Sequence, residues 1–416
     1  MSRDLDVVIV GAGTIGAVMA TVLLVRRQVR PGRVAIVAER IAGKGAGATV
    51  SGAVADWDLR VFALGRASQR LLQLCGIWQL LPADRMFAYE RMCVWDASAT
   101  ARGRGSLTFD CAEIGEPNLG FIVDGRLLQE HALQAAAAAG AVIIESGVQA
   151  VAVSETEARI RLADGRDLSA GLLIGADGSA SKTRELLGIG TAGHGYQQDA
   201  LVGHVRTARS HESTAWQRFL PTGPLALLPL SDGRSSIVWS IERAEAKRLR
   251  ALDRESFATA LHEASAAVLG DVELTTPLAS FPLTLQYALD YARPRAVLVG
   301  DAAHAVHPLA GQGLNLGLLD CASLCEALEE SGDPDRWGDF ATLRRYERRR
   351  KSENLLAATA FDGLERLFSN SNPALVALRA AGLTAVGKLS YVRRRLAQRA
   401  LGVAGDVPAF LKTEGA

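Results

Sequence analysis

The amino-acid sequence predicts an α/β protein with a Rossmann-like dinucleotide-binding domain, an inserted and mostly antiparallel β layer, and a helical C-terminal region. Three observations carry this prediction. A glycine-rich turn links an apolar strand to an apolar helix near the start, strand-like runs dominate residues 196–281, and helical spacing prevails from residue 317 onward. The chain has no long linker or low-complexity tract, so we expect the layers to pack together.

Composition excludes several classes of protein and of site. The 416 residues carry a formal net charge of +1, so no global field favours nucleic acid or an acidic partner. The five cysteines are odd in number and form no Cys-x-x-Cys pair, which argues against a disulfide framework and a structural zinc site. They are Cys75, Cys93, Cys111, Cys321 and Cys325. We therefore expect a cytoplasmic protein that binds no nucleic acid.

Residues 7–25 form a 19-residue stretch without a charge, which has the length of a membrane span or a signal sequence. The stretch carries Gly11, Gly13 and Gly16 at spaced positions, and no small-residue cleavage site follows in a plausible place. A buried strand, a turn and a buried helix explain the same composition, so we expect these elements instead of a span.

The first elements form a βαβ unit. Residues 4–10 have the pattern of a strand, residues 11–16 that of a turn, and residues 17–27 that of a helix. Residues 33–38 form a second apolar strand that ends at Glu39. Two parallel strands joined by a helix normally make a right-handed unit.

The later elements follow from the same periodicities. Helical spacing covers residues 58–76 and 129–139, and Asp164-Gly165 suits the turn of a hairpin. The strands expected near that turn are residues 141–145, 148–153, 158–162 and 167–173. The middle layer has strand-like runs at residues 201–205, 216–220, 225–229 and 235–240, with one helix at 254–268. The α/β pattern resumes at residues 296–299.

The motif Gly11-x-Gly13-x-x-Gly16 directly follows a strand and opens a helix. The first glycine permits a tight turn, the second lets the backbone approach a pyrophosphate, and the third lets helix and strand pack closely. Glu39 lies 23 residues after Gly16, where a carboxylate would accept hydrogen bonds from a ribose. The combination predicts a dinucleotide with an unphosphorylated ribose, FAD or NAD. The alternative is a glycine-rich turn with a surface glutamate.

Two further apolar strands end in an aspartate. Asp177-Gly178 follows one of them, and an Asp-Gly pair taken alone is most often just a turn. Asp301 follows the other, where it would bind a polyol hydroxyl. The helix start at residues 311–315 would lie against an electron-rich ring, and its dipole would favour an anionic reduced flavin.

Three such motifs in this order resemble those of the group A flavoprotein hydroxylases, whose fold is that of p-hydroxybenzoate hydroxylase. The string from His307-Pro308 through Gln312 to Asp320 resembles the signature of the ubiquinone-biosynthesis hydroxylases. Residues 219–230, 235–239, 281–283, 345–351 and 405–408 agree with it as well. The resemblance spans nearly the whole chain and implies FAD as the cofactor.

The resemblance also implies roles for individual residues. The family often has Glu-Asn before its second flavin-contacting arginine, whereas Asp124-Gly125 precedes Arg126 here. The implied cofactor-binding residues are Gly11, Gly13, Ile15 and Gly16 for the pyrophosphate, Glu39 for the adenosine ribose, Arg60 and Arg126 for the flavin, Val148 for adenine, Asp177 near the pyrophosphate and a path for a pyridine nucleotide, Asp301 for the ribityl chain, and Gly311, Gly313, Leu314 and Asn315 for the flavin ring. Outside this family, Arg60 and Arg126 would be ordinary surface salt-bridge residues.

The resemblance divides the chain into three parts. The FAD-binding domain comprises residues 1–75, 112–183 and 290–340, the substrate domain residues 76–111 and 184–289, and a helical region residues 341–416.

The reaction that the resemblance implies begins when NAD(P)H or a protein donor reduces FAD. O₂ then forms a flavin C4a-hydroperoxide, whose distal oxygen attacks an electron-rich phenol. Tyr287, His194 and Trp239 fall in or near the substrate layer, and nothing ranks them as the base.

The lead hypothesis is a hydroxylase that acts on a polyprenylated phenol in ubiquinone biosynthesis, with O₂ as co-substrate and other proteins of that pathway as candidate partners. Two alternatives stay open. One is a flavin hydroxylase of a soluble aromatic in secondary metabolism, and the other is a catalytically silent subunit of a quinone-synthesis complex.

Several remaining features have ordinary explanations. His304 and His307 lack a third ligand, so we expect no metal site. Cys321 and Cys325 lie one helical turn apart and suit packing better than redox chemistry. The basic runs at residues 344–351 and 393–399 are typical of solvated helix faces. Their alternative role is peripheral contact with anionic lipids at the inner face of a membrane.

Overall fold

A computed structural model of the protein describes residues 4–27, 29–41, 56–305, 312–368, 373–402 and 405–412. Its strands, in chain order, are β1 (Leu5–Val10), β2 (Val34–Ala38), β3 (Val61–Leu64), β4 (Met86–Tyr89), β5 (Arg91–Asp96), β6 (Ser106–Asp110), β7 (Gly120–Asp124), β8 (Val142–Glu145), β9 (Val148–Val153), β10 (Ala158–Leu162), β11 (Asp167–Gly175), β12 (Thr191–Thr207), β13 (Thr214–Leu220), β14 (Gly223–Pro229), β15 (Ser235–Glu242), β16 (Val272–Leu274), β17 (Ala279–Ala288), β18 (Ala292–Arg293), β19 (Ala296–Leu298) and β20 (His304–Ala305).

The helices account for most of the remaining chain. They are α1 (Thr14–Arg27), α2 (Arg66–Leu74), α3 (Cys111–Ile114), α4 (Gly125–Ala138), α5 (Lys182–Leu186), α6 (Arg243–Arg250), α7 (Arg254–Ala264), α8 (Gln312–Ser331), α9 (Phe340–Phe368), α10 (Pro373–Lys388) and α11 (Ser390–Ala400). In the described ranges, no helix combines the length and the apolar composition that a membrane crossing requires.

An eight-stranded sheet forms the first layer. Its core runs β19-β11-β1-β2-β8 with all neighbours parallel, as the predicted βαβ unit requires. The strands are apolar almost throughout because both faces are covered. Helices α1, α4 and α8 pack on one face, and the β9–β10 hairpin packs on the other. This order places the carboxyl ends of β1, β11 and β19 side by side.

A nine-stranded sheet forms the second layer, in the order β20-β17-β12-β15-β14-β13-β5-β6 with β16 beside β12. Its pairs are antiparallel, as predicted, except that β5 pairs in parallel with β13. One face buries Leu201, Leu225 and Trp239 against α6 and α7. The sequence pattern missed α6, whose residues are mostly charged.

The structure corrects the helix predicted over residues 58–76. Residues 61–64 form β3, which pairs with β7, and only residues 66–74 are helical, in α2. Leu64, Leu71 and Leu72 are all fully buried. Their spacing imitates one helical face although a strand and a helix supply them. With β4, the strands β3 and β7 make a three-stranded sheet between the two larger layers.

The C-terminal helices pack against the nine-stranded sheet. Arg379 of α10 pairs with Asp96 at the end of β5, and both side chains are buried. Nearby, the rings of Phe219 and Phe368 stack at 4.2 Å. The domain boundaries given above stay a prediction. Strands β5 and β6 join the nine-stranded sheet, whereas β4 pairs with β7.

Candidate functional site

The glycine turn between β1 and α1 has one open position. A Cβ on Gly11, whose φ is +118°, would lie 2.2 Å from the Ala176 carbonyl oxygen, and one on Gly16 would lie 1.9 Å from the Gly11 carbonyl oxygen. A Cβ on Gly13 would meet nothing within 4 Å. The turn is therefore closed on the protein side and open at Gly13, as backbone approach to a pyrophosphate requires.

The start of α1 suits an anion. Its first turn contains no acidic residue, so the free N–H groups and the positive end of the helix dipole stay uncompensated there. Glu39 lies exposed at the end of β2, the strand beside β1. The Ile15 side chain packs against Gly300 and Gly317, so a contact with phosphate would come from its backbone.

Asp177 follows β11, and its carboxylate accepts hydrogen bonds from residues at the start of α5. One oxygen accepts a hydrogen bond from the Ser181 hydroxyl, and the other accepts one from the Thr183 N–H at 2.8 Å. Arg184, whose role sequence reasoning missed, is buried and donates to the carbonyl oxygens of Ser179 and Ala302 at 2.8 and 2.9 Å. Arg184 thus joins the Asp177 turn to the turn after β19. The available signal was its position seven residues after Asp177, just beyond the Asp-Gly turn.

Asp301 lies on the turn after β19. It is solvent-exposed, but enough protein surrounds its carboxyl group that desolvation raises its pKa, while His304 and Arg60 act to lower it. An exposed carboxylate in a recess suits hydrogen bonds to a polyol. Because β1, β11 and β19 are neighbours, the Gly11 turn, Asp177 and Asp301 gather at one sheet edge, where open α/β sheets bind their ligands.

Arg60 stands between the first two layers. Its guanidinium lies over the rings of Phe62 and Phe281, at 5.6 and 5.2 Å from their centroids. The Gly125 N–H donates to the Arg60 carbonyl oxygen, and a Cβ on Gly125 would lie 2.4 Å from that oxygen. This contact explains why a glycine precedes Arg126, which is exposed and pairs with Glu130 at 3.4 Å.

Asn315 does not offer its side chain to a ligand. The side-chain oxygen accepts hydrogen bonds from the Gly65 N–H and the Ser68 hydroxyl, at 2.9 and 2.6 Å, and the amide group donates to the Ala63 carbonyl oxygen at 2.8 Å. A contact from Asn315 to a flavin would therefore use the backbone. Gly313 and Leu314 are half-buried beside it, and Gly311 lies outside the described residues. Val148 is half-buried at the start of β9.

The imidazole of His304 contacts a buried carboxylate. Its Nε2 lies 2.5 Å from the buried carboxylate of Asp320. His307 lies outside the described residues, and no cluster of three metal-ligating side chains occurs in the part of the chain that the structure describes. Cys321 and Cys325 are fully buried in the core.

The second face of the nine-stranded sheet turns toward Arg60. Alternation along the strands places Ala200, Val202, Ala226 and Val238 on this face, opposite the residues that α6 and α7 cover. Phe281 pairs with Ala200 and shares their face. Ala226 and Val238 are only half-buried although they lie on central strands. Ala200 and Val202 are buried, so Ala226 and Val238 form the partly accessible apolar surface on this side, the side of Arg60 and Phe281.

The three unranked side chains lie elsewhere. Trp239 is buried on the α6–α7 side of the sheet. Tyr287 lines a small cleft between β17 and α9, and His194 lies 3.5 Å from Asp362 of α9. Trp239 therefore lies on the opposite face from Phe281, whereas strand alternation places His194 and Tyr287 on the face of Phe281, farther along β12 and β17.

Comparisons with known proteins agree with this geometry. A family model described as an FAD binding domain matches residues 126–357. The solved structure of p-nitrophenol 4-monooxygenase from Pseudomonas putida superposes with a TM-score of 0.73 at 17% identity, over 96% of this chain and 99% of that one. This likeness shows the fold.

Curated relatives extend the match to nearly the whole chain. The 3-demethoxyubiquinol 3-hydroxylase of Escherichia coli is 34% identical over 83% of this chain and 88% of its own length. Ubiquinone hydroxylase UbiL of Rhodospirillum rubrum is 36% identical over 95% and 89%. With a cofactor edge that fits FAD at Gly13 and Asp301, this chain belongs to the ubiquinone-biosynthesis hydroxylase family of FAD-dependent, p-hydroxybenzoate hydroxylase-like monooxygenases.

Proposed function

We propose that this flavoenzyme hydroxylates the aromatic ring of a polyprenylated phenol in ubiquinone biosynthesis, with O₂ and with NAD(P)H or a protein as electron donor. The names of the relatives support the substrate class. The observation that carries the proposal is the second face of the nine-stranded sheet, where the half-buried Ala226 and Val238 share a face with Phe281, the ring over which the Arg60 guanidinium lies. A flat surface of small side chains suits an aromatic ring.

The chain's own residues would hold the cofactor and the ring. Gly13 and the start of α1 would bind the pyrophosphate, and Asp301 would accept hydrogen bonds from the polyol. Arg60 would balance negative charge near the isoalloxazine, with Phe281 beside it on the substrate side. When bound and reduced, FAD supplies the activation of O₂. The closely packed sheets on either side would exclude water from the reacting groups.

We further propose that α11 makes peripheral contact with anionic lipid, from which a polyprenylated substrate would be drawn. Leu389, Tyr391 and Leu396 are 55%, 68% and 46% exposed beside Arg394 and Arg395. The run at residues 344–351 suits this role less well. Its Arg345 and Arg349 pair with Glu330, and Arg350 is buried. The same exposed surface is the candidate contact for other proteins of the pathway.

The test compares phenols that differ only in their isoprenoid tail. FAD-loaded protein is incubated with an electron donor and ¹⁸O₂, and incorporation of one labelled oxygen into the ring is followed by mass spectrometry. We expect hydroxylation of tailed phenols and little of tailless ones. Equal turnover of tailless phenols would favour the soluble-aromatic alternative. A protein that binds no flavin in excess FAD would favour the silent subunit.

A further inference from the structure

Asp320 is a fully buried carboxylate in α8 on which four donors converge. Its Oδ2 accepts from the Gly300 N–H at 3.0 Å and lies 2.5 Å from His304 Nε2. Its Oδ1 accepts from Arg350 Nε at 2.7 Å and from Asn354 Nδ2 at 3.2 Å. One oxygen therefore holds the turn that carries Asp301, and the other holds α9.

His304 and Arg350 determine the charge of the Asp320 carboxyl group. Burial acts to raise the pKa of this carboxyl, but His304 and Arg350 outweigh it and lower the pKa to about 2. Asp320 is thus an anion at neutral pH and can only accept hydrogen bonds. The proton between it and His304 therefore belongs to His304 Nε2. His304 Nδ1 has no hydrogen-bond partner among the described residues, so Nε2 makes the ring's polar contact with the protein.

We propose that Asp320 is a positioning residue of the FAD site. Through Oδ2 it fixes Gly300 and His304, which flank Asp301, in the arrangement that presents the Asp301 carboxylate to the cofactor's polyol. Arg184 holds the same turn from the other side, through the Ala302 carbonyl oxygen. The turn is thus clamped between α5 and α8. The inference rests on FAD binding and not on which aromatic ring is hydroxylated.

The two oxygens of Asp320 provide a matched pair of variants. His304→Ala removes a donor on the turn side, and Asn354→Ala removes one on the α9 side. Both leave a buried acceptor short of one partner, so we expect both to lower the thermal midpoint of the apoprotein. We expect His304→Ala to raise the Kd for FAD about tenfold or more, and Asn354→Ala to change it by less than about threefold.

The measurements are fluorescence titration of apoprotein with FAD, the visible spectrum of the bound flavin, and thermal unfolding of the apoprotein. His304→Gln keeps a side-chain N–H donor, and we expect it to restore much of the affinity for FAD. Equal changes in Kd for the two alanine variants would overturn the inference, as would an unchanged Kd for His304→Ala. None of these three measurements requires turnover, so this result is separate from that of the substrate test.

Discussion

Gly13 differs from Gly11 and Gly16 in what a side chain would meet. Substituting Gly11 or Gly16 with alanine would drive a Cβ into a backbone carbonyl oxygen, so we expect both variants to fail to fold. Gly13→Ala meets open space and should keep the thermal midpoint of the apoprotein near the wild-type value. Its Cβ would occupy the approach to the pyrophosphate, so we expect FAD affinity to fall about tenfold.

Circular dichroism melts of the apoprotein and a flavin titration distinguish these effects. Gly382→Ala, at an exposed position in α10, is the matched control, because a Cβ there also meets nothing within 4 Å and neither glycine has a positive φ. A Gly13→Ala protein that binds FAD as tightly as wild type would place the pyrophosphate elsewhere.

At the residue scale, the position of a local motif in the fold could be predicted from the sequence, while the ligand role of each residue stays a prediction. The three glycines, Asp177 and Asp301 come directly after strands that pair, and their common edge follows from that placement. The hydrogen-bond partners of each side chain could not be predicted from the motif. The side-chain amide of Asn315 makes hydrogen bonds with Ala63, Gly65 and Ser68, which are about 250 residues away along the chain. A sequence motif cannot show such partners.

Helix α8 is joined to the β3–α2 junction through Asn315. Replacing Asn315 with alanine removes three hydrogen bonds and leaves buried groups unpaired, so we expect the free energy of unfolding to fall by roughly 2–4 kcal/mol. Urea denaturation of the apoprotein measures it. Asn315→Asp keeps the acceptor for Gly65 and Ser68 but turns a buried carboxylate oxygen toward the Ala63 carbonyl oxygen, so we expect it to lose at least as much. A negligible loss in the alanine variant would contradict this account.

Helices α8 and α9 are joined through Asp320, and this contact depends on pH. The folded pKa of about 2 lies below the reference value of 3.8, because His304 and Arg350 outweigh burial. The stability it contributes, roughly 2 kcal/mol, is present above about pH 4 and is lost as the pH falls toward 2.

Acid titration of the apoprotein checks this expectation. The double variant Asp320→Leu, Arg350→Met replaces the buried pair with apolar side chains and should lose less stability between pH 4 and pH 2 than wild type does. Identical acid profiles for the two proteins would count against a contribution from Asp320.

At the element scale, the sequence predicted most strands and helices and failed where periodicity was ambiguous. Residues 61–74 have their leucines at helical intervals, but Gly65 separates a strand from a helix there. Helix α6 escaped notice because Ala246 and Leu249 are its only buried residues. Both cases depend on which neighbours cover a short segment, and the sequence does not contain that information.

At the scale of the whole molecule, two buried histidines make stability depend on pH near neutrality. Burial lowers the pKa of His204 and of His211, in the nine-stranded sheet region. The unfolded chain then binds more protons than the folded one as the pH falls through about 6.5, so the folded protein loses stability on acidification. The charges of Arg234 and Asp56 act in opposite directions on the pKa of His204: Arg234 lowers it and Asp56 raises it.

We expect the free energy of unfolding to decrease between pH 7.5 and pH 5.5, and His211→Gln to reduce that slope. Guanidinium denaturation at several pH values measures it. If His211→Gln has the slope of wild type, His211 does not carry the effect.

The layers themselves were predictable, because patterns of period 2 and 3.6 reflect what each element buries. The way in which the layers are joined could not be predicted. The parallel pairing of β5 with β13 and the attachment of α10 through Asp96 and Arg379 join segments more than 100 residues apart. No local pattern records such a choice.

The order of strands in the first sheet also sets when the protein can fold during synthesis. Strand β1 emerges first, but its neighbour β11 begins at residue 167 and the next strand, β19, at residue 296. At 5–20 residues per second the ribosome would need roughly 15–60 s to deliver β19 after β1. During that interval β1 and α1 have no complete sheet to join and expose apolar surface. The nascent chain is thus exposed to aggregation or chaperone capture, and flavin can load only after β19 has emerged.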